Sequence, residues 1–112
     1  LACRAALATL DIFDEDDVLA NNQHRSKKLG EALTRVAAHP RVSNARQTGM
    51  ICAFDVQSDR DVGFSRWFFS EALKNELLLR PIGNTVYWMP PYVVSDEEIE
   101  LLGDVTLKVL DV

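Results

Sequence analysis

Apolar residues recur at helical spacing near both ends of the chain. The first such stretch predicts a helix over residues 1–13, which starts without a cap and which we expect to link this chain to a longer polypeptide. A second helix is predicted over residues 18–38, after the acidic run 14–17, whose carboxylates are expected to cap it. Ser95 and Glu98 form a capping-box sequence that starts a last helix.

The middle of the chain changes from helical to alternating periodicity. Residues 50–56 place apolar side chains at every second position, which predicts a strand paired with the preceding residues across a turn at Thr48-Gly49. Large apolar residues then return to helical spacing over residues 64–75 and predict a third helix.

A hairpin is expected in the last third of the chain. Gly83-Asn84 is a dipeptide typical of tight turns, and apolar residues flank it over 77–82 and 85–89. The predicted order is therefore helix, helix, strand, strand, helix, hairpin, helix. This order indicates a single α+β domain over residues 1–112, an α/β sandwich in which helices cover one face of a small antiparallel sheet.

Composition and charge reduce the range of partners and functions that the chain could have. The chain has 112 residues and a formal net charge of −5, which disfavours nucleic acid and anionic membrane surfaces as partners. No apolar run approaches the ~18 residues of a membrane span. Cys3 and Cys52 lie far apart in apolar stretches, so we expect two reduced, buried thiols in a cytoplasmic protein.

Groups typical of catalysis or metal binding are scarce. His24 and His39 lie at polar positions and are expected to be solvated. The four lysines all fall on polar helix faces, where none is desolvated enough to act as a nucleophile. No catalytic residue, cofactor contact or metal ligand is therefore predicted within this chain.

The hairpin carries the candidate binding residues. If a two-residue turn fixes its register, Arg80 faces Tyr87 and both side chains rise from the same face of the sheet. A guanidinium beside a phenol suits a substrate carboxylate, because guanidinium presents two parallel donors to two oxygens. The alternative is a structural ion pair between Arg80 and one of the acidic residues, capped by the Tyr87 hydroxyl.

Residues 79–92 read Leu-Arg-Pro-Ile-Gly-Asn-Thr-Val-Tyr-Trp-Met-Pro-Pro-Tyr. This stretch resembles the C-terminal domain of the adenosylmethionine-8-amino-7-oxononanoate aminotransferases of biotin synthesis, which are class III, fold type I pyridoxal-phosphate enzymes. The opening residues 1–8 and the segment 46–50 are similar to the same family, so the resemblance covers nearly the whole chain. The Arg-Pro-x-Gly-Asn part indicates only class III, whereas Tyr-Trp-Met-Pro-Pro-Tyr is narrower.

The resemblance implies roles for two residues. Arg80 matches the arginine that binds the carboxylate of 8-amino-7-oxononanoate, and Tyr87 matches a tyrosine near the substrates. It also implies that S-adenosylmethionine donates the amino group through pyridoxal 5'-phosphate, giving 7,8-diaminononanoate. The Schiff-base lysine and the cofactor's phosphate site would lie in the large domain of an intact homodimer, so this chain alone is expected to be inactive.

Two alternatives stay open. Another class III ω-aminotransferase, acting on ornithine or 4-aminobutyrate, would share the fold and the cofactor. A stand-alone carboxylate-binding module of ACT-like type would need no other chain. The uncapped first helix argues against this module, as does a surplus of large apolar residues that suggests a lost interface; these are Phe64, Trp67, Phe68, Trp88 and Met89.

Overall fold

The computed structural model describes residues 1–60 and 62–112 and has the predicted α+β architecture. Its elements follow the predicted order except that the first strand of the hairpin is missing. The elements are α1 (Ala2–Glu15), α2 (Val18–Ala37), β1 (Val42–Thr48), β2 (Ile51–Val56), α3 (Phe64–Lys74), β3 (Thr85–Trp88) and α4 (Asp96–Leu110).

The three strands form an antiparallel sheet in the order β1-β2-β3. The alternation predicted for β2 is confirmed, since Cys52, Phe54 and Val56 are buried on one face. The opposite face carries more accessible residues, which we call the open face of the sheet. β1 contains a bulge between Ser43 and Arg46, which breaks its register with β2.

The core lies between the sheet and the helices. Apolar residues spaced along one side of α2 and of α4 are buried, as their helical periodicity predicted. The Phe54 and Trp88 rings meet edge to face in this core, with centroids 5.7 Å apart. At the surface, Arg35 of α2 donates one hydrogen bond to Glu100 and one to Asp104 of α4, each 2.8 Å long.

The two predicted caps have different outcomes. The capping box at α4 is confirmed, because Ser95 and Glu98 each accept a hydrogen bond from the other's backbone N–H. The capping role predicted for residues 14–17 is wrong. α1 runs through Glu15, and Asp17 at the start of α2 has a left-handed backbone (φ 47°), whereas a capping side chain needs an extended one.

The hairpin prediction is wrong beyond its first residue pair. Ile82 and Thr85 exchange two backbone hydrogen bonds around Gly83, whose φ of 59° supports the tight turn. Within the described residues, however, 77–81 do not form a strand. The Pro81 ring fixes its φ angle, and the Pro81 carbonyl oxygen accepts a hydrogen bond from the Ser65 hydroxyl of α3. This segment therefore lies beside α3 and does not pair with β3.

Helix α1 packs differently from the other helices. None of its fourteen described residues is buried, and Leu7, Leu10 and Ile12 are all about half exposed or more. Its ring contact is an edge-to-face pair between Phe13 and Tyr92, with centroids 6.0 Å apart. The predicted helix at 1–13 is thus confirmed, while its role as a link to another domain stays a prediction.

Two expectations about apolar surface need correction. Of the residues expected to be in surplus, Phe64, Phe68 and Trp88 are buried in the core, whereas Met89 is 70% exposed. Cys52 is a buried free thiol, as predicted. Cys3 was also expected to be buried, but it is exposed, since it lies on α1, where no residue is buried. In the part of the chain that the structure describes, no helix is both long and apolar enough to cross a bilayer.

Candidate functional site

Tyr87 lies on the open face of the sheet. It pairs with Ala53 of β2, which in turn pairs with Arg46 of β1, so the three residues form a row across the strands. The middle residue is a small alanine, so the half-buried Tyr87 phenol lies beside a short side chain on this face. The Tyr87 hydroxyl can donate or accept a hydrogen bond there.

A polar network lies next to this row. The Asp55 carboxylate accepts hydrogen bonds from Asn44 Nδ2 (2.9 Å) and Thr85 Oγ1 (2.7 Å), with the Arg46 guanidinium 3.5 Å away. Hydrogen bonds from Asn44 and Thr85, together with the Arg46 charge, hold the pKa of the Asp55 carboxyl below its usual value. The network therefore fixes a charged carboxylate on β2, opposite Thr85, which lies two residues along β3 from Tyr87.

Arg80 lies in a different part of the surface. It is exposed and lines a cleft of about 490 Å³ between α3 and the segment that follows it. The side chains of Arg66 and Phe69 from α3 line the same cleft, together with Pro81. The hydrogen bond from Ser65 to the Pro81 carbonyl oxygen holds the two walls together.

The structure does not bring Arg80 and Tyr87 together as the hairpin register predicted. The strand pairing needed for that register ends after Ile82 and Thr85, and Tyr87 is not one of the residues that line the Arg80 cleft. The substrate-binding roles of both residues stay predictions. In this structure Arg80 is grouped instead with a second guanidinium, that of Arg66.

Arg66 was missed in the sequence, although one signal was available. It is the third residue of α3, and the first turn of that helix contains no acidic residue. A cation in the first turn is unfavourable because the helix dipole is positive at that end. A residue that works against this preference is a candidate for binding an anion.

None of the four lysines lines the cleft that contains Arg80. Lys74 and Lys108 donate hydrogen bonds to Glu71 and Asn75, and Lys28 lies 3.8 Å from Glu31. Among the described residues, no group of three or more His, Cys, Asp and Glu side chains is placed to hold a metal ion.

The described residues include groups suited to binding an anion. Arg66 and Arg80 offer hydrogen-bond donors with permanent positive charge, and Tyr87 offers a hydroxyl. Such groups recognise and orient a carboxylate or another oxyanion.

Comparison with known proteins identifies the family. A model of the aminotransferase class-III family matches residues 1–110. The adenosylmethionine-8-amino-7-oxononanoate aminotransferase of Helicobacter pylori is 38% identical over 115 aligned positions, covering 99% of this chain and 26% of that protein. Gamma aminobutyrate transaminase 1, mitochondrial, of Solanum lycopersicum is 27% identical over 91% of this chain and 21% of that protein.

A solved structure has the same fold. The crystal structure of adenosylmethionine-8-amino-7-oxononanoate aminotransferase from Methanocaldococcus jannaschii superposes with a TM-score of 0.87 at 26% identity, covering 97% of this chain and 27% of that one. The chain thus spans about a quarter of the length of the relatives it matches. The resemblance found in the sequence is confirmed, and the chain belongs to the class-III aminotransferase family.

Proposed function

We propose that this chain is the C-terminal, substrate-binding domain of an enzyme that transfers the amino group of S-adenosylmethionine to 8-amino-7-oxononanoate, giving 7,8-diaminononanoate. The observation that carries the proposal is the family match over residues 1–110, with relatives named for this reaction among the similar proteins. Class III membership also favours an aminotransferase over a stand-alone ACT-like module.

Arg80 has a specific role in this proposal. Its guanidinium lines an accessible cleft whose other walls include the Phe69 and Pro81 side chains. A keto acid with a methylene chain and a terminal carboxylate would place the carboxylate on the guanidinium and the chain against the apolar walls. Tyr87 would orient the substrates from the open face of the sheet.

The cofactor would be bound outside this chain. Class III aminotransferases use pyridoxal 5'-phosphate, which supplies the amino-transfer chemistry when bound. The four lysines of this chain lie on helices and none of them lines the Arg80 cleft, so we expect the lysine that holds the cofactor to lie elsewhere in the polypeptide. In the proposal, this chain binds and orients substrate while the rest of the polypeptide holds the cofactor.

The rest of the polypeptide would also cover two apolar surfaces. One is the exposed side of α1, which carries Leu7, Leu10 and Ile12. The other is a groove of about 660 Å³ whose lining includes Met89, and where Asn22 contributes a buried Oδ1 without a hydrogen-bond partner. A large domain packed on both surfaces would bury the leucines and supply a donor to Asn22.

The test uses the intact polypeptide loaded with pyridoxal phosphate. We expect formation of 7,8-diaminononanoate from S-adenosylmethionine and 8-amino-7-oxononanoate. Arg80→Ala should raise KM for the keto acid by about 10- to 100-fold, as expected for losing a charge-assisted hydrogen bond. Arg4→Ala, which removes an exposed arginine of α1, should change KM little.

Two results would contradict the assignment. If the enzyme accepts ornithine or 4-aminobutyrate and ignores S-adenosylmethionine, the ω-aminotransferase alternative is correct. The similar protein from Solanum lycopersicum supports testing 4-aminobutyrate, because that protein is named for this substrate. If Arg80→Ala affects both substrates equally, the carboxylate-binding role of Arg80 is wrong.

A further inference from the structure

The cleft beside α3 contains two arginines that are far apart in the sequence. Arg66 lies in the first turn of α3, and Arg80 lies in the irregular segment that follows the helix. Both side chains line the same space of about 490 Å³. No acidic residue is among the described residues that form its walls.

This placement puts two positive charges where a single anion can contact both. Two guanidiniums that share a small cleft repel each other, and Arg66 adds its charge to the positive end of the α3 dipole. The chain does not separate them, because the hydrogen bond between Ser65 and Pro81 ties their neighbouring residues together. An anion in the cleft would relieve the repulsion and would accept hydrogen bonds from both side chains.

The remaining walls indicate which anion fits. Phe69 is partly buried and Pro81 is buried, so the cleft presents apolar surface beside its positive charges. A small inorganic anion would use only the guanidiniums. A carboxylate at the end of an aliphatic chain would use both kinds of wall.

We propose that Arg66 is a second carboxylate-binding residue, which acts together with Arg80 on a ligand that carries a terminal carboxylate on an aliphatic chain. That this ligand is the keto-acid substrate rests on the proposed function. Arg66 would then contribute to specificity, because only a substrate with the carboxylate accepts hydrogen bonds from both guanidiniums.

The first measurement does not depend on activity. Octanoate, a monocarboxylate with an aliphatic chain, is titrated into the intact protein by calorimetry, with octanamide as the uncharged comparison. We expect octanoate to bind and octanamide to bind more weakly. Arg66→Gln should lower the octanoate affinity about tenfold, and Arg66→Lys should lower it less because the charge remains.

A matched control separates a local contact from general charge. Lys74→Gln removes one positive charge from the other end of the same helix, outside the cleft, and should leave octanoate affinity unchanged. An intact protein that binds no octanoate overturns the inference. So does an Arg66→Gln variant whose affinity equals that of the Lys74→Gln variant.

Kinetics then distinguish this inference from the proposed function. With 8-amino-7-oxononanoate as substrate, Arg66→Gln should raise KM while kcat stays near that of the unmodified enzyme. If octanoate binding depends on Arg66 but the keto acid is not a substrate, the proposed function fails and the carboxylate site stands. If the keto acid reacts and neither its KM nor octanoate binding depends on Arg66, only the site is wrong.

Discussion

The Thr85 hydroxyl donates a 2.7 Å hydrogen bond to the Asp55 carboxylate. This bond joins β3 to β2 on the open face of the sheet, two residue pairs along from the pair that contains Tyr87. Asn44 reaches the same carboxylate from the bulge in β1. Side chains from all three strands therefore meet at Asp55. The strand β3, which carries Tyr87, is bound to β2 by this side-chain hydrogen bond as well as by backbone hydrogen bonds.

Asp55 should make the stability of the protein depend on pH in the acidic range. Because its pKa is lowered in the folded state, the carboxylate stabilises the fold at neutral pH, and this contribution is lost as the pH falls from the ordinary aspartate value through the folded one. Asp55→Asn should therefore flatten the acid limb of the stability curve. Urea denaturation between pH 7 and pH 3 measures this, with Asp59→Asn, outside the network, as the control.

The two cysteines should differ sharply in reactivity. Burial raises the pKa of the Cys52 thiol to about 11, whereas Cys3 is exposed on α1. Since the thiolate is the reactive form, iodoacetamide at pH 8 should label Cys3 in the folded chain and spare Cys52. Peptide mapping by mass spectrometry checks this, and denaturant should expose both. Equal labelling in the folded chain would mean that β2 is not buried as described.

The capping box should contribute measurably to the stability of α4. Ser95→Ala removes the side chain that accepts from the Glu98 N–H and should lower the free energy of unfolding by about 1 kcal/mol. Glu98→Gln should cost less, because glutamine can still accept from the Ser95 N–H. Ser70→Ala is the control, at an exposed position of α3, and thermal denaturation should show no loss for it.

Tyr87→Phe in the intact enzyme isolates the hydroxyl, because the ring beside Ala53 is kept. We expect kcat/KM to fall about 3- to 10-fold, as for loss of a neutral hydrogen bond. A larger loss with S-adenosylmethionine than with the keto acid would place the hydroxyl on the amino-donor side. Tyr92→Phe is the matched control, since Tyr92 packs against Phe13 and not on the sheet. An unchanged Tyr87→Phe enzyme would remove Tyr87 from the site.

The parts of the fold that the sequence predicted are those set by neighbouring residues. The alternation around Phe54 and the Ser95-x-x-Glu98 pair each carry their structural reason within a few positions. The hairpin prediction failed because the turn at Gly83 fixes the pairing of Ile82 with Thr85 only. Beyond that pair, the path of the chain depends on the contact between Pro81 and Ser65, sixteen residues apart, which no local pattern contains.

The candidate site divides in the same way. Arg80 could be found from its motif, because the residues around it lie in one run of sequence. Arg66 could not, since its importance depends on the position of α3 against the segment after it. The dipole argument against a cation in a first helical turn was available in the sequence, but it needed a predicted start for α3 and a second charge close in space.

The two hydrogen bonds that Arg35 donates to Glu100 and Asp104 add a polar constraint to the axial position of α4 relative to α2. The two acceptors are four residues apart on α4, so an axial rise of about 6 Å, slightly more than one helical turn, separates them. A shift of α4 by a fraction of a turn in either direction would stretch one of these two hydrogen bonds. The planar guanidinium thus favours one axial position of α4 relative to α2. Lysine would not reproduce this effect, because it has one ammonium group on a flexible stem.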